Sequence, residues 1–313
     1  MRPPLLAIVG PTASGKTDLA LAIARSMPVE ILVADSRQVY RGMDVGTAKP
    51  DAAARAAVPH HLVDLVDPEQ TFTEQTFTVA DWVGLARSLL PQIAGRGRLP
   101  MVVAGTGLYL TALVDGHDYA GQPFSPEIRE RLVAALEAEG LAPLSHRLVR
   151  LDRTAAERID LRNPRRVLRA LERAESGRGA ASVRADPYPG RLALIGIRRP
   201  REVLYRRIAA RAERLFASGL LEETRRLLDA GRAPDLPALS GHGYREAAAH
   251  LAGELSLDEA IDATTRRTQQ YAKRQLTWFR RDPRIIWIEA GEGAGDDPQL
   301  VTAAEAVLRA TLS

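Results

Sequence analysis

The first third of the chain alternates short, continuously apolar runs with segments of helical periodicity. Leu5-Leu6-Ala7-Ile8-Val9 has no polar position, as expected of a parallel strand covered on both faces. A glycine-punctuated loop, Gly10 to Thr17, follows. It leads into a helix predicted from Asp18 to Met27, with Leu19, Ile23 and Met27 on one face. Ile31-Leu32-Val33-Ala34 predicts a second strand, ending at Asp35. Leu62–Val66 and Met101–Ala104 predict two more, separated by a helical stretch near Val79–Ile93. Strands alternating with helices in this way imply βαβ units and a parallel sheet. From about Val114 to about Gly190 the pattern gives helices and loops without a strand, in a stretch rich in arginine, proline and glycine. A strand returns at Leu192–Ile197, several helices follow, and a strand at Ile285–Ile288 and a helix near Pro298–Leu312 close the chain. The predicted class is α/β: a parallel-sheet core with helices on both faces, formed by residues 1–113 and 191–313, and interrupted by a mostly helical insertion, 114–190. A local Thr-Phe-Thr repeat in Thr71–Thr78 reads as a loop duplication rather than an architectural repeat.

The loop after the first strand carries chemistry. Gly10-Pro11-Thr12-Ala13-Ser14-Gly15-Lys16-Thr17 fits the phosphate-loop pattern G-x-x-x-x-G-K-[ST], placed between a strand and a helix as that motif requires. Backbone N–H groups, the positive end of the helix and the Lys16 ammonium together favour an anion, and the Thr17 hydroxyl is placed to ligate Mg²⁺. Gly10, Thr12, Ala13, Ser14, Gly15, Lys16 and Thr17 are therefore the candidate diphosphate-binding residues, with Thr17 the candidate metal ligand. The motif indicates phosphate, and ATP only at the level of the motif. ATPases of this type place a carboxylate after an apolar strand, whereas Met101–Ala104 ends in Gly105-Thr106-Gly107. Asp35, after the second strand, is the available carboxylate. It is open to three roles: a magnesium ligand, a base beside the phosphate site, or a turn cap bonding to residue 37. Ligands of open parallel sheets bind beyond the carboxyl ends of the strands, where Asp35, the phosphate loop and Thr106 converge.

Composition excludes several classes. No run of 18 or more apolar residues exists, so no membrane span is expected. The N-terminal apolar run is too short for a signal-peptide core. The absence of cysteine excludes disulfides and thiolate metal sites, and is compatible with the cytoplasm. Net charge is only +4, but arginine dominates the cations; Lys16, Lys49 and Lys273 are the only lysines. On a helical wheel, Arg266, Arg267, Gln270, Lys273, Arg274, Thr277, Arg280 and Arg281 share one face, opposite Ile261, Thr268, Ala272 and Phe279. A second basic helix is predicted from Arg162 to Arg173. Two such faces suit a phosphate backbone gripped from two sides. Tyr244 and Trp278 are candidate base stackers, with a core position the stronger expectation for Trp278.

The sixteen residues Asp35-Ser36-Arg37-Gln38-Val39-Tyr40-Arg41-Gly42-Met43-Asp44-Val45-Gly46-Thr47-Ala48-Lys49-Pro50, together with the phosphate loop, closely resemble the bacterial tRNA dimethylallyltransferases. The resemblance continues through Gly105-Thr106-Gly107-Leu108-Tyr109, Asn163 to Glu172, Gly243-Tyr244-Arg245-Glu246 and Lys273 to Arg280, covering roughly residues 5–290. It implies transfer of a dimethylallyl group from dimethylallyl diphosphate to N6 of adenosine 37 in the tRNA anticodon loop, with release of diphosphate. It also implies a Mg²⁺ cofactor and a cytoplasmic monomer. By the same resemblance Asp35 matches the general base, Thr106 a threonine near the reacting centre, and Arg211 an arginine on the diphosphate, with Arg206, Arg207 and Arg214 as neighbouring alternatives. The implied tRNA contacts are Asp35, Ser36, Arg37, Gln38, Thr106, Arg129, Arg165, Arg166, Arg169, His242, Gly243, Tyr244, Arg245, Lys273, Arg274, Gln275, Thr277 and Arg280. Three departures stand out: Ala104 where a glycine is common, His242 where an aliphatic residue is usual, and a long Thr71–Thr78 loop. Two other enzyme classes share the core motif, a small-molecule kinase and a prenyltransferase acting on free adenylate; neither needs two basic faces. A non-catalytic RNA-binding module would leave the phosphate loop beside Asp35 unexplained.

Overall fold

The computed structural model describes residues 2–69, 77–116, 125–176 and 186–312. Residues 71–76 of the Thr-Phe-Thr repeat lie outside the described residues. The elements run β1 (Leu5–Val9), α1 (Lys16–Ser26), β2 (Val29–Ala34), α2 (Ala52–Ala57), β3 (His60–His61), α3 (Val79–Gly95), β4 (Leu99–Ala104) and α4 (Gly107–Val114). Four helices follow: α5 (Pro126–Glu139), α6 (Leu141–Leu151), α7 (Arg153–Glu157) and α8 (Pro164–Glu175). The chain returns with β5 (Leu192–Arg198), α9 (Arg201–Ala217), α10 (Leu220–Asp229), α11 (Tyr244–Leu251), α12 (Leu257–Phe279), β6 (Ile285–Glu289) and α13 (Pro298–Leu312). Two compact units result: Met1–Val114 with Tyr188–Ser313, and Asp115–Pro187.

In the larger unit six parallel strands stand in the order β3-β2-β4-β1-β5-β6. The central strand β1 is fully buried, and its ladders to β4 and β5 satisfy both of its edges. Leu6 and Ile8 join Leu19 and Ile23 of α1 and Leu300 and Leu308 of α13 in one cluster. Leu5, Ala7 and Val9 point to the other face by strand alternation and are equally excluded from water. On α3, capped by a reciprocal Thr78–Asp81 box, Trp82 is fully buried. Its indole donates to the Val33 carbonyl at 3.0 Å and its ring stacks on Tyr109 of α4.

One predicted strand is corrected. The ladder beside β2 ends at His61, and Leu62 and Asp64 take left-handed φ values of 66° and 56°, which a strand cannot hold. The chain instead turns toward the segment after β2, meeting it at a Tyr40–Val66 bridge. Asp64 accepts there from the buried Lys49 ammonium at 2.6 Å and from Arg55 at 3.0 Å. The run 62–66 reads as a strand in sequence because four of its five residues are apolar, although of these only Leu62 is buried.

The smaller unit packs α5, α6, α7 and α8 around Leu132, Leu144, Leu148, Val167 and Leu171. Asn163 caps α8, with Pro164 in its first turn. Within this apolar cluster Glu172 is buried and accepts from both Arg129 and Arg169. Arg165 and Arg166 are exposed on the same helix.

Trp82→Phe is expected to cost about 1–2 kcal/mol through the lost hydrogen bond and area, and Trp82→Ala about 3–5 kcal/mol. Chemical denaturation at fixed pH measures both; no loss in Trp82→Phe would mean that the indole hydrogen bond to Val33 contributes nothing beyond ring volume.

Candidate active site

The phosphate loop joins β1 to α1, and α1 begins at Lys16, two residues before the expected start at Asp18. Gly15 is the N-cap at φ 98°, and Ala13 also takes a left-handed φ of 62°. That backbone leaves the first-turn amides of the helix facing outward without intrahelical partners. Thr12, Ala13, Gly15, Lys16 and Thr17 line a cavity of about 350 Å³, whereas Gly10 and Ser14 do not line it. Ser14 is fully buried, and its amide closes a turn onto the Pro11 carbonyl at 3.2 Å. Lys16 donates to the carbonyls of Gly10 at 2.9 Å and Pro11 at 2.8 Å. Burial pushes its ammonium from 10.5 down to about 7; Asp35 opposes that shift and Arg211 reinforces it.

Asp35 and Thr106 come together at the carboxyl ends of β2 and β4. Asp35 Oδ1 accepts from the Arg37 amide at 2.8 Å, which is an Asx-turn. Its Oδ2 faces Gly105, where a side chain would put a Cβ 3.1 Å away. The cap role and a role in the cavity are therefore compatible, since each uses a different oxygen. Thr106 Oγ1 accepts from the Ser36 amide at 3.0 Å and meets the Tyr271 hydroxyl. Tyr271, on α12, lines the cavity beside Asp35 and is pushed up to about 12, first by burial and then by Asp35. It escaped the sequence reading because its neighbours on the wheel divide between the buried and basic faces.

On α9 the four candidate arginines separate. Arg206 turns outward to Glu292, while Arg207, Arg211 and Arg214 line the cavity, as three- and four-residue helical spacing allows. Arg211 has no hydrogen-bond acceptor among the described residues; burial lowers its basicity and the Asp35 charge counters this. Arg207 donates through Nε to the Ala13 carbonyl at 3.0 Å.

Several candidate tRNA contacts have other duties. Gln275 is only 6% exposed: its side chain accepts from the Thr12 amide at 2.8 Å and donates to the Gly105 carbonyl at 2.7 Å. It ties the phosphate loop to the end of β4. Tyr244 is 1% exposed, so it stacks on no base in this conformation; its hydroxyl donates to Glu223. Glu223, buried on α10, also accepts from the amides of Asp44, Val45 and Gly46 at 2.9–3.0 Å, fixing the segment that brings Thr47 and Ala48 to the cavity. Gly243 is the buried N-cap of α11, donating to Glu246 at 2.9 Å. Arg37 donates to the carbonyls of Pro237 and Ala238 and to Ser240. Gln38 donates to the Thr47 carbonyl at 3.2 Å. Arg267, on the expected basic face, is partly buried against Glu246. In the smaller unit, Arg129 and Arg169 neutralise Glu172.

The remaining basic stripe of α12 is exposed: Arg266, Gln270, Lys273, Arg274 and Thr277, continuing to Arg280 and Arg281 beyond its end. Thr264, Thr268, Ala272 and Phe279 are buried on the opposite side. Trp278 corrects the core expectation. It is 39% exposed at the end of this stripe, lying over Gly107, where any Cβ would collide with its ring. Arg245 is exposed on α11. His242 lines a second cavity of about 80 Å³ shared with Thr12, Asp35 and Arg211. Burial, then Arg267 and Arg37, hold its imidazole down at about 4, so it is neutral at physiological pH.

The donors fit a magnesium ion carried by a diphosphate. Thr17, Asp18 and Asp35 line the cavity, and the described residues contain no group of three or more histidine, aspartate or glutamate side chains that could hold a metal. Mg²⁺ typically keeps several waters and substrate oxygens and takes few protein ligands.

The family model described as IPP transferase matches residues 38–282, and one described as Isopentenyl transferase matches residues 3–58. The chain is 45% identical over 310 residues to a tRNA dimethylallyltransferase of Roseiflexus castenholzii, covering 98% of each chain. It is 46% identical over 291 residues to that of Geobacter metallireducens, covering 91% of this chain and 92% of the relative. The crystal structure of a tRNA isopentenylpyrophosphate transferase from Bacillus halodurans superposes with TM-score 0.71 at 37% identity, over 98% of this chain and 96% of that one. A eukaryotic dimethylallyltransferase crystallised acting on tRNA shares the fold with TM-score 0.75 at 22% identity, over 93% of this chain and 74% of that one.

The lowered Lys16 basicity predicts that pyrophosphate binding takes up a proton as pH rises through about 7. Pyrophosphate affinity is expected to fall more steeply with rising pH, by up to about tenfold per pH unit, in wild type than in Lys16→Met. Titration calorimetry from about pH 6 to 9 compares the two; parallel profiles would show that Lys16 stays protonated in the free site.

Proposed function

The chain belongs to the IPP transferase family, and from that membership we propose that it transfers a dimethylallyl group from dimethylallyl diphosphate to N6 of adenosine 37 in tRNA, releasing diphosphate. The observation that carries the mechanism is one cavity with Lys16, Arg207 and Arg211 around the phosphate loop and Asp35 at its side.

The adenine amine is a poor nucleophile because its lone pair is delocalised into the ring. As N6 bonds to the allylic carbon C1, the C1–O bond breaks and the pair leaves with the diphosphate, while N6 loses one proton. Asp35 Oδ2 is the acceptor for that proton, held in orientation by the Asx-turn on its other oxygen. Lys16, Arg211 and the first-turn amides of α1 stabilise the charge gathering on the leaving group. Thr17 and the diphosphate oxygens would hold magnesium, which adds neutralising charge there. Thr106 and Gln275 position the strand ends that bear this machinery. The exposed stripe from Lys273 to Arg280 takes tRNA phosphates, with Arg165 and Arg166 of the smaller unit as a second basic group. The reading includes the cytoplasm, with which a cysteine-free chain is compatible, and, from family resemblance alone, a monomer.

Incubation with labelled dimethylallyl diphosphate, Mg²⁺ and either tRNA or AMP is expected to label tRNA alone. Label in AMP would replace the RNA substrate; tRNA-stimulated ATP hydrolysis without transfer would overturn the reading. Asp35→Asn should keep diphosphate affinity while single-turnover transfer falls roughly 10²–10⁴-fold. An unchanged rate would leave Asp35 with the Asx-turn alone.

The triple variant Lys273→Ala/Arg274→Ala/Arg280→Ala should raise the KM for tRNA, more so at high salt, with little loss at saturating tRNA. Each lost phosphate contact lowers the slope of log affinity against log salt by about 1. Identical salt slopes for variant and wild type would make the stripe a solvated surface.

A further inference from the structure

Two arginines stitch consecutive loop carbonyls to the glycine-rich segment between β6 and α13, Arg199 from outside the cavity and Arg207 from its wall. Arg199 is buried; its Nε donates to the Ser14 carbonyl at 2.8 Å and a terminal nitrogen donates to the Gly291 carbonyl. Arg207 donates to the Ala13 carbonyl at 3.0 Å and to the Gly293 carbonyl at 3.4 Å. Gly15 and Gly295 lie in direct contact: a Cβ on Gly15 would come within 2.8 Å of the Gly295 Cα, and one on Gly295 would collide with the Gly15 carbonyl. The second terminal nitrogen of Arg199 is buried without a hydrogen-bond partner among the described residues. Burying a guanidinium with unfilled donors is unfavourable, so packing alone gives little reason for an arginine here.

A trans peptide carries its carbonyl and the following N–H on opposite edges of one plane. With the Ser14 carbonyl drawn back to Arg199, the Gly15 N–H points away from it. Gly15 lines the cavity and Arg199 does not. We propose that Arg199 is a positioning residue: with the 291–295 segment it clamps the phosphate loop from behind, so that diphosphate affinity depends on a C-terminal segment outside the cavity. The two glycines permit the contact because any side chain at either would lift the segment off the loop.

The proposal rests on the loop being the diphosphate site. Calorimetry with Mg²⁺-pyrophosphate and steady-state kinetics on the full chain test it in wild type, Arg199→Met, Arg199→Lys and Gly295→Ala. Arg199→Met is expected to weaken pyrophosphate binding and raise the KM for dimethylallyl diphosphate by about tenfold or more, with the KM for tRNA within about twofold of wild type. Arg199→Lys should recover part of the loss, because an ammonium can still hold the Ser14 carbonyl. Gly295→Ala should move the same two constants in the same direction with Arg199 in place, and it decides the matter should Arg199→Met fail to fold. Wild-type diphosphate affinity in folded variants, whatever their melting temperature, would overturn the clamp. A wild type that binds no pyrophosphate would instead sink the reading of the loop itself.

Discussion

Like charges crowd one cavity in this protein, and much of the larger unit serves to hold them there. Lys16, Arg207, Arg211 and Arg214 line a single space. Coulomb repulsion among them is unfavourable in the free protein and favourable once a polyanion arrives. The fold keeps such a site by tying its parts to groups that do not neutralise it. Lys16 and Arg207 spend hydrogen bonds on backbone carbonyls of the loop itself. Asp35 tempers Lys16 and Arg211 through space, while one of its oxygens stays committed to a turn.

Buried carboxylates do the corresponding work elsewhere, and each stands where a loop or helix must be fixed. Glu223 gathers three consecutive amides and the Tyr244 hydroxyl, immobilising the segment after β2. Glu30, with Arg96 and His61, closes the opposite end of the sheet; the Arg96 hydrogen bond leads in holding its carboxyl below the usual range. Glu172 is the same device inside the smaller unit. Removing one partner from such a buried pair typically costs about 3–5 kcal/mol, which ties loop geometry to global stability.

Helix α12 joins the cavity to an exposed basic surface. One side packs Thr268, Ala272 and Phe279 against the unit. From the same helix Gln275 reaches the phosphate loop and Tyr271 meets Thr106. The outward side carries Lys273, Arg274 and Thr277. A nucleic acid bound along that stripe would therefore lie one helix diameter, about 10–12 Å, from the groups that hold the reacting centre.

The sequence by itself determined the elements whose physics is local. The apolar run 5–9 has to be a strand buried on both faces, the glycine spacing of 10–17 has to be a tight loop that opens a helix, and the period of α12 has to give one buried and one basic side. Tertiary structure alone decided which polar side chains face inward. Gln275 and Tyr244 fall in motif segments that look like surface contacts, yet buried acceptors and donors from distant elements claim them, Gly105 and Thr12 for one and Glu223 for the other. Trp278 went the opposite way, since Gly107 offers its ring one covered face and leaves the other in solvent. Residues 62–66 lost their strand because Lys49 and Arg55 draw Asp64 into a left-handed turn. Periodicity records how often a residue is covered; the identity of the partner depends on contacts far apart in the chain, which no local pattern encodes.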